Sequence, residues 1–157
     1  MTYIPSPQMQ ADMRRREGYS LSVYPDSKGL ATQGIGRHHG VNFGDPDITD
    51  DTAVQWLQYD LQQAYADAKQ LFHFLDLLDM VRIESFVDLA FNMGGQKLAQ
   101  FSPFITAVNL RDWPSAHLHL LTNSSQHLTP YLTQVGIRAV DVAGRIATGQ
   151  VPKEFQV

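Results

Sequence analysis

Cysteine is absent from the sequence, which excludes disulfides as a source of stability. A chain of 157 residues buries about 70% of the surface that its unfolded form would expose, so it can fold without cross-links or a structural metal. Since no cysteine is present, the sequence gives no indication of a reducing or an oxidising compartment.

Long hydrophobic runs are absent as well. Residues 1–18 contain no apolar stretch of the length that a signal peptide or a membrane span requires. We therefore expect no export by a signal of its own and no stable insertion into a membrane. If the target lies outside the cytoplasm, the protein would reach it through cell lysis, a pore made by a separate protein, or delivery in a particle.

An excess of positive charge is the third missing feature. The 12 Lys and Arg residues are outnumbered by 16 Asp and Glu residues, which gives a formal net charge of -4. Nucleic-acid-binding proteins concentrate Lys and Arg on one face, so we expect no nucleic acid partner. The run Arg14, Arg15 and Arg16 is a local basic patch that could still attract an anionic polymer.

What the sequence does contain is a series of helix signals. Ser6, followed by a proline, predicts a helix start and Gly18 its end, and a long amphipathic helix is predicted over residues 49–71. Asp79 is expected to cap a largely apolar helix that ends at residues 94–95. Three further helices are expected after cap and proline signals at residues 102, 112 and 129, with the last running over about residues 135–148.

The segment between the first two helices has a different pattern. Residues 19–36 alternate apolar and polar positions around a turn sequence at residues 25–29, which predicts a hairpin or a small three-stranded sheet, and residues 37–47 lack periodicity and are predicted to form a loop. We therefore predict a single, mostly helical α+β domain over residues 1–157. It would have a small β lobe at about residues 18–48, a helical lobe at about residues 70–150 together with the N-terminal helix, and a long connecting helix.

Two acidic residues flank the first predicted strand. Glu17 ends the first helix and Asp26 lies in the hairpin turn, while Thr32 follows on the returning strand. Cleavage of a glycosidic bond needs one carboxyl group to protonate the leaving oxygen and a second carboxylate to activate water or attack the sugar. Glu17, which precedes an apolar hairpin, suits the acid that keeps its proton, and Asp26, in a polar turn, suits the ionised partner.

The same residues also have an ordinary structural interpretation. A helix-end glutamate and an aspartate in a turn occur nine positions apart in many sequences, and a threonine in a strand needs no functional reason. Only the wider pattern decides between the two interpretations.

That wider pattern consists of three motifs near the N-terminus and three further along the chain. The first three are residues 16–19 (REGY), 24–26 (YPD) and 32–36 (TQGIG), with eight residues between Glu17 and Asp26 and five between Asp26 and Thr32. The others are residues 91–94 (FNMG), 101–104 (FSPF) and 111–113 (RDW). Together they resemble phage-type lysozymes, the glycoside hydrolase family 24, over about residues 9–150.

The resemblance implies a lysozyme-like fold and a role for each motif residue. Glu17 would be the general acid, Asp26 would orient and activate the attacking water, and Thr32 would help to hold that water. Asn92 matches a position that lines the substrate cleft of similar enzymes. Arg138 resembles an arginine that pairs with the catalytic glutamate, so Asn92 and Arg138 are the expected substrate-binding residues. An exposed helical arginine is the alternative interpretation of Arg138.

The implied activity is that of a peptidoglycan hydrolase. It would cleave the β-1,4 bond between N-acetylmuramic acid and N-acetylglucosamine, with inversion, without a cofactor or a metal. Inverting enzymes keep their two carboxyl groups about 6.5 to 9.5 Å apart, which admits the water. We expect a monomer that is made in the bacterial host cytoplasm and acts on the glycan strands of the cell wall, with a separate pore-forming protein as one possible route of export.

Two positions depart from the family pattern. Family members often have a histidine directly after the GIG sequence, where this chain has Arg37 followed by His38, so a supporting hydrogen bond of the small lobe is expected to be rearranged. Asp141 lies in a C-terminal stretch that is less basic than in many relatives, which lowers the expected affinity for an anionic wall.

Other residues have competing interpretations that we resolve in favour of structure. The histidines lack the spacing and the accompanying acids of a zinc site: His38, His39, His117, His119 and His127. Trp56 and Trp113 could stack on sugar rings, but their helical spacing favours the core. The apolar run at residues 71–78 favours burial over a membrane-surface helix.

Two alternative functions belong to other classes. The first is a non-catalytic wall-binding or particle-structural module with a lysozyme fold, which loss of Glu17, Asp26 or Thr32 would have indicated. The second is a lytic transglycosylase, which uses a single acid and no water and releases an anhydro product. All three residues are present, which favours the hydrolase.

Overall fold

A computed structural model describes residues 3–123, 125 and 127–157 of the chain. Within these residues the chain forms two strands and eight α-helices, with short 3-10 turns at Leu75–Leu77 and Lys153–Phe155. The elements are α1 (Pro7–Glu17), β1 (Ser20–Pro25), β2 (Ala31–Gly34), α2 (Asp50–Leu71), α3 (Met80–Met93), α4 (Gly95–Leu98), α5 (Ser102–Asn109), α6 (Trp113–Leu121), α7 (Pro130–Val135) and α8 (Ile137–Thr148). The predicted α+β class, mostly helical with a small β element, is confirmed.

Side-chain caps fix most of the helix starts, as the sequence predicts. The Ser6 hydroxyl accepts from the Met9 backbone N–H at 3.1 Å, and Asp79 and Thr129 cap α3 and α7 in the same way. Such caps satisfy N–H groups that have no partner inside the helix. The expected cap at Ser102 is wrong, because Phe101 takes the cap position and Ser102 is the first residue of α5.

The C-terminal helices differ from the prediction. One helix was expected near residues 135–148, but the segment after Thr129 forms two helices, α7 and α8, that are separated by Gly136. Gly136 has a φ of 55°, which is the conformation that interrupts a helix and that glycine adopts without a Cβ penalty. The short helix α4, which follows Gly94, was not predicted.

The sheet has two strands in the described residues. Strands β1 and β2 are antiparallel, with Tyr24 opposite Thr32 and Ser20 opposite Gly34. The predicted hairpin is confirmed, whereas the three-stranded alternative is wrong for this part of the chain. Gly29, with a φ of 77°, provides the positive φ of the connecting turn.

The chain divides into two compact units, and the division falls within α2. The first unit comprises residues 1–62 with Val157, and its core contains Met9, Met13, Leu57 and Leu61. The second comprises residues 63–156 and is centred on three fully buried rings, Phe72, Phe86 and Phe104, whose centroids lie 4.5 to 6.2 Å apart.

The apolar run at residues 71–78 is partly buried, as expected. Phe72 and Leu75 are fully buried in the core of the second unit, but Leu77 is 77% exposed. Across the described residues, no helix combines the length and the hydropathy that a membrane crossing would need.

Candidate functional site

Glu17 is the last residue of α1 and lies directly before a backbone reversal. Gly18 ends the helix with a φ of 80°, and the chain then enters β1. The carbon chain of Glu17 packs against Gly36, which follows β2: a Cβ at Gly36 would lie 2.6 Å from the Glu17 Cβ. Glycine at position 36 therefore lets the two segments approach closely and fixes where the Glu17 side chain starts.

A cluster of three polar residues ties this end of α1 to the start of α2. Asp50 accepts from Arg14 at 2.8 Å and from the Tyr19 hydroxyl at 2.7 Å, and the Arg14 guanidinium lies 4.7 Å from the Tyr19 ring centroid. The two hydrogen bonds lower the pKa of Asp50, and the bond to Asp50 raises the pKa of Tyr19. The cluster holds the residues on both sides of Glu17 in place.

Asp26 lies in the turn that follows β1. Its Oδ1 accepts backbone N–H groups of Lys28 and Leu30, both at 2.8 Å. The hydrogen bond from the Leu30 backbone N–H is the main cause that lowers the pKa of Asp26. Asp26 is therefore ionised at neutral pH, and its carboxylate has a fixed orientation.

Thr32 is joined to Asp26 through Leu30. The Thr32 hydroxyl donates to the Leu30 carbonyl at 3.1 Å, and the same carbonyl accepts the Asp26 backbone N–H at 2.9 Å. Thr32 is only 3% exposed. Leu30 therefore binds both side chains, the Asp26 carboxylate through its backbone N–H and the Thr32 hydroxyl through its carbonyl.

Tyr24 links the two carboxyl groups electrostatically. Burial, the charge of Asp26 and the charge of Glu17, in that order, raise the pKa of the Tyr24 phenol. The hydroxyl also lies 3.6 Å from where a Cβ of Gly18 would be. The structure therefore brings Glu17 and Asp26 to the same phenol. Sequence reasoning used Tyr24 only as part of a motif, and its place directly before Pro25 and Asp26 was the available signal.

The segment that follows Thr32 is tightly packed. Gln33 is 1% exposed, and its amide donates to the carbonyls of Leu21 at 2.7 Å and Pro46 at 2.9 Å. Gly34 has a φ of 66°, and an added Cβ there would be in ordinary van der Waals contact with the Trp56 ring at 3.5 Å, so the two residues are neighbours. These contacts fix the loop against the hairpin.

Arg37, at the position of the family histidine, forms its own supporting contacts. Its guanidinium donates to Asp60 at 2.8 Å and lies 5.2 Å from the Trp56 ring centroid. Burial raises the pKa of Asp60, although the charge of Arg37 opposes the rise. In this chain the interaction at this position is an arginine–carboxylate pair, and its difference from the family bond stays a prediction. The contacts of Trp56 with Gly34 and Arg37 favour its structural interpretation.

Two further predicted site residues lie in the second unit. Asn92 is half-buried near the end of α3. Arg138 is 9% exposed, and its Nε donates at 3.1 Å to Asp88, which is 1% exposed. The alternative interpretation of Arg138 as an exposed helical arginine is therefore wrong. The substrate-binding roles of Asn92 and Arg138 stay predictions.

Other buried charges in the second unit have structural partners. Asp141 is 7% exposed and accepts from Arg145 at 2.8 Å, so its charge is compensated within α8. Trp113 lies under the Arg82 guanidinium, 4.6 Å from its ring centroid. Among the described residues, no three His, Cys, Asp or Glu side chains form a group that could hold a metal ion.

Comparison with known proteins assigns the chain to a family. The comparison with curated proteins gives no match. The family model described as phage lysozyme matches residues 14–128, which is almost three quarters of the chain and includes Glu17, Asp26, Thr32 and Asn92. The chain therefore belongs to the phage lysozyme family and is a glycoside hydrolase that degrades peptidoglycan.

Proposed function

We propose that the protein hydrolyses the β-1,4 bond between N-acetylmuramic acid and N-acetylglucosamine, with inversion at the anomeric carbon. Glu17 is the general acid, Asp26 activates the water and Thr32 helps to position it. The observation that carries the proposal is the geometry of the hairpin turn, where the Asp26 carboxylate accepts the Leu30 backbone N–H at 2.8 Å and the Thr32 hydroxyl donates to the Leu30 carbonyl at 3.1 Å. Burial, and after it the charges of Asp26 and Glu17, raise the pKa of the Tyr24 phenol, so both carboxyl groups lie within electrostatic reach of that ring. Two carboxyl groups that act on one small region are what glycosidic cleavage requires.

Asp26 has the properties of the residue that receives the proton of the water. Both of its backbone hydrogen bonds go to Oδ1, which leaves Oδ2 to accept from a water molecule. The lowered pKa keeps the carboxylate ionised, so it is ready to accept at neutral pH. Thr32, which donates to the Leu30 carbonyl, retains lone pairs that can accept from the same water.

The proposed reaction balances as a single displacement. Glu17 donates its proton to the glycosidic oxygen, and the bond between that oxygen and the anomeric carbon breaks. Water attacks the same carbon from the opposite face and releases a proton to Asp26. Proton exchange with solvent then restores both carboxyl groups, and the new hydroxyl has the inverted configuration.

Three expectations about the setting remain part of the proposal. The protein acts as a monomer, needs no cofactor, and can reach the cell wall through a pore made by a separate protein. Sedimentation of the purified protein tests the first, and activity after exhaustive dialysis against a chelator tests the second. Lysis from inside cells, with and without a co-expressed pore, tests the third.

The deciding experiment uses outer-membrane-permeabilised Gram-negative cells. Glu17→Gln removes the donated proton while keeping the shape, so turbidity loss is expected with the wild type and not with this variant. Glu154→Gln is the matched control, because Glu154 is an exposed carboxylate near the C-terminus. If both proteins are inert, the non-catalytic binding-module alternative replaces the hydrolase. If Glu17→Gln is as active as the wild type, Glu17 is not the general acid.

Product analysis separates the hydrolase from the transglycosylase. Nuclear magnetic resonance spectra taken early in the digestion of purified glycan should show a reducing end of inverted configuration. A retained anomer would contradict inversion, and an anhydro sugar would show that no water takes part. Asp26→Asn is expected to abolish the reducing product without unfolding the protein.

A further inference from the structure

Gly18 is the one residue between the end of α1 at Glu17 and the segment that leads into the sheet. Its φ of 80° and ψ of 173° lie in a region of backbone conformation that is open almost only to glycine. A residue without a Cβ restricts its own backbone less than any other. The local backbone therefore does not fix the direction of Glu17 by itself, and contacts on both sides of Gly18 have to do so.

One carboxylate joins the two sides of this glycine. Arg14 lies on α1, three residues before Glu17, and Tyr19 follows Gly18. Both donate to Oδ1 of Asp50, the first residue of α2, at 2.8 Å and 2.7 Å. The Arg14 guanidinium also lies 4.7 Å from the Tyr19 ring centroid. These three residues, which we call the hinge cluster, form a closed set of contacts across Gly18.

The neighbouring arginine has its partner on its own helix. Arg15 donates at 2.7 Å to Asp12, which lies three residues earlier in α1 and is 1% exposed. A pair within one helix can stabilise that helix, but it cannot set the direction of the helix relative to the sheet. Both adjacent arginines thus have a counter-charge, whereas only the pair of Arg14 connects α1 to α2.

We propose that the hinge cluster positions the general acid: by holding both sides of Gly18, it fixes the direction of the Glu17 side chain. The inference rests on the proposed function, in which Glu17 donates the proton. The hydrogen bonds of the cluster lower the pKa of Asp50 and raise that of Tyr19. Asp50 is therefore charged and Tyr19 protonated at neutral pH, so both contacts persist where the reaction takes place.

The expected effect of the hinge cluster on activity is larger than its effect on stability. The side chains of Arg14 and Asp50 are 36% and 53% exposed, and an exposed ion pair contributes little to the free energy of unfolding. The contact between Glu17 and Gly36 remains when the cluster is broken, so the acid is displaced only in part. Because a displacement of about 1 Å can lower the rate about 100-fold, we expect a partial displacement to lower kcat about tenfold and to leave KM unchanged.

Matched variants test the proposal with purified peptidoglycan oligomers as the substrate. Arg14→Met and Asp50→Ala are each expected to lower kcat about tenfold at constant KM. Arg15→Met and Asp51→Ala are the controls, because they remove the adjacent charge on α1 and the other acidic residue in the first turn of α2. Both controls should keep the wild-type kcat. Arg15→Met removes a partner of the buried Asp12, so it should lower the melting temperature more than Arg14→Met does.

The pattern of these results separates positioning from simple charge attraction. If Arg14→Met and Arg15→Met raise KM equally, the arginines attract the anionic glycan and the proposal is wrong. A wild-type kcat in folded Arg14→Met and Asp50→Ala would also overturn it. Tyr19→Phe breaks one of the two hydrogen bonds to Asp50, so it should lower kcat about threefold, which is the square root of tenfold.

A measurement that does not depend on catalysis separates this inference from the proposed function. Nuclear magnetic resonance relaxation gives the order parameter of the Gly18 amide, which is expected to fall from about 0.85 toward 0.6 in Arg14→Met and Asp50→Ala and to stay constant in the controls. If Glu17→Gln is inactive but neither kcat nor the order parameter responds to Arg14→Met and Asp50→Ala, the inference alone fails. If Glu17→Gln is active, the proposed function fails, and a fall of the order parameter would still uphold the hinge cluster as the group that holds Gly18.

Discussion

Gly36 and Glu17 are in direct contact, since a Cβ at Gly36 would lie 2.6 Å from the Glu17 Cβ. Gly36 also has a φ of 69°, so any other residue there is strained as well as crowded. The crowding is specific to the site, because it displaces the Glu17 side chain, which we assign as the acid. The backbone strain is a general cost of a left-handed conformation at a non-glycine residue.

Gly36→Ala is therefore expected to reduce activity far more than stability. The backbone strain costs about 1–2 kcal/mol of unfolding free energy, and a displaced acid lowers kcat about 100-fold or more. Gly40→Ala is the matched control, because Gly40 has a φ of 75° and no atom within 4 Å of an added Cβ. It should show the stability loss with normal kcat. Urea unfolding measures the stability of the two variants, and glycan release measures their activity. Equal activity of the two variants would contradict the positioning of Glu17 by Gly36.

Asp26 gives the fold a stability that depends on pH. Its pKa in the folded state is lowered, so its contribution is fully present above the unfolded value of about 3.9 and is lost as the pH falls through the folded pKa. The difference in unfolding free energy between the wild type and Asp26→Asn should therefore be constant near neutral pH and shrink below pH ~4. Urea titrations at several pH values measure it. A difference that grows as the pH falls would have the wrong sign.

Tyr24 reports the charge of Asp26. Burial is the main cause that raises the pKa of the phenol, and the charge of Asp26 raises it further, so Asp26→Asn is expected to lower the Tyr24 pKa part of the way toward its ordinary value of about 10. The chain has six tyrosines, so the Tyr24 titration is obtained by subtracting the absorbance titration of the matching Tyr24→Phe variant. Asp50→Asn is the control, since it should lower the pKa of Tyr19 and not that of Tyr24. An unchanged Tyr24 midpoint in Asp26→Asn would show that the two groups do not interact.

The pair of Arg37 and Asp60 supports the first unit. Arg37→Met leaves a half-buried carboxylate without its counter-charge, and we expect it to lower the unfolding free energy by about 1–3 kcal/mol. Burial raises the pKa of Asp60, and this rise is larger without Arg37, so the destabilisation should lessen as the pH falls and Asp60 takes up a proton. A double-mutant cycle with Asp60→Asn measures the coupling between the two residues. Strictly additive losses would mean that the pair contributes nothing.

Local signals were sufficient for most of the fold. The helix starts at Ser6, Asp79 and Thr129 depend on a side chain that bonds to a backbone N–H three residues ahead, so they are encoded within one turn. Gly18 and the hairpin turn are equally local. The division of residues 130–148 into two helices was missed, because the positive φ of Gly136 was not evident from the periodic apolar pattern on both sides.

The sequence predicted the residues of the candidate site but not the contacts between them. The motif spacing of Glu17, Asp26 and Thr32 indicated the chemistry by family resemblance, although the separate residues had ordinary structural interpretations. The sequence did not reveal that Leu30 joins Asp26 to Thr32, or that Tyr24 experiences the charges of both carboxyl groups. These relationships depend on the strand register and on the direction of each side chain. The pairing of β1 with β2 determines both, and the composition of the segment does not.

By itself, the sequence determined the mostly helical α+β class, the capped helices and the identity of the motif residues, because each depends on neighbours within a few positions. The tertiary structure decided which partners the charged residues take. Arg37 pairs with Asp60 across 23 positions, and Arg138 pairs with Asp88 across 50. Such pairs form because a buried charge is costly unless an opposite charge lies beside it, and only the folded chain determines which charges become neighbours.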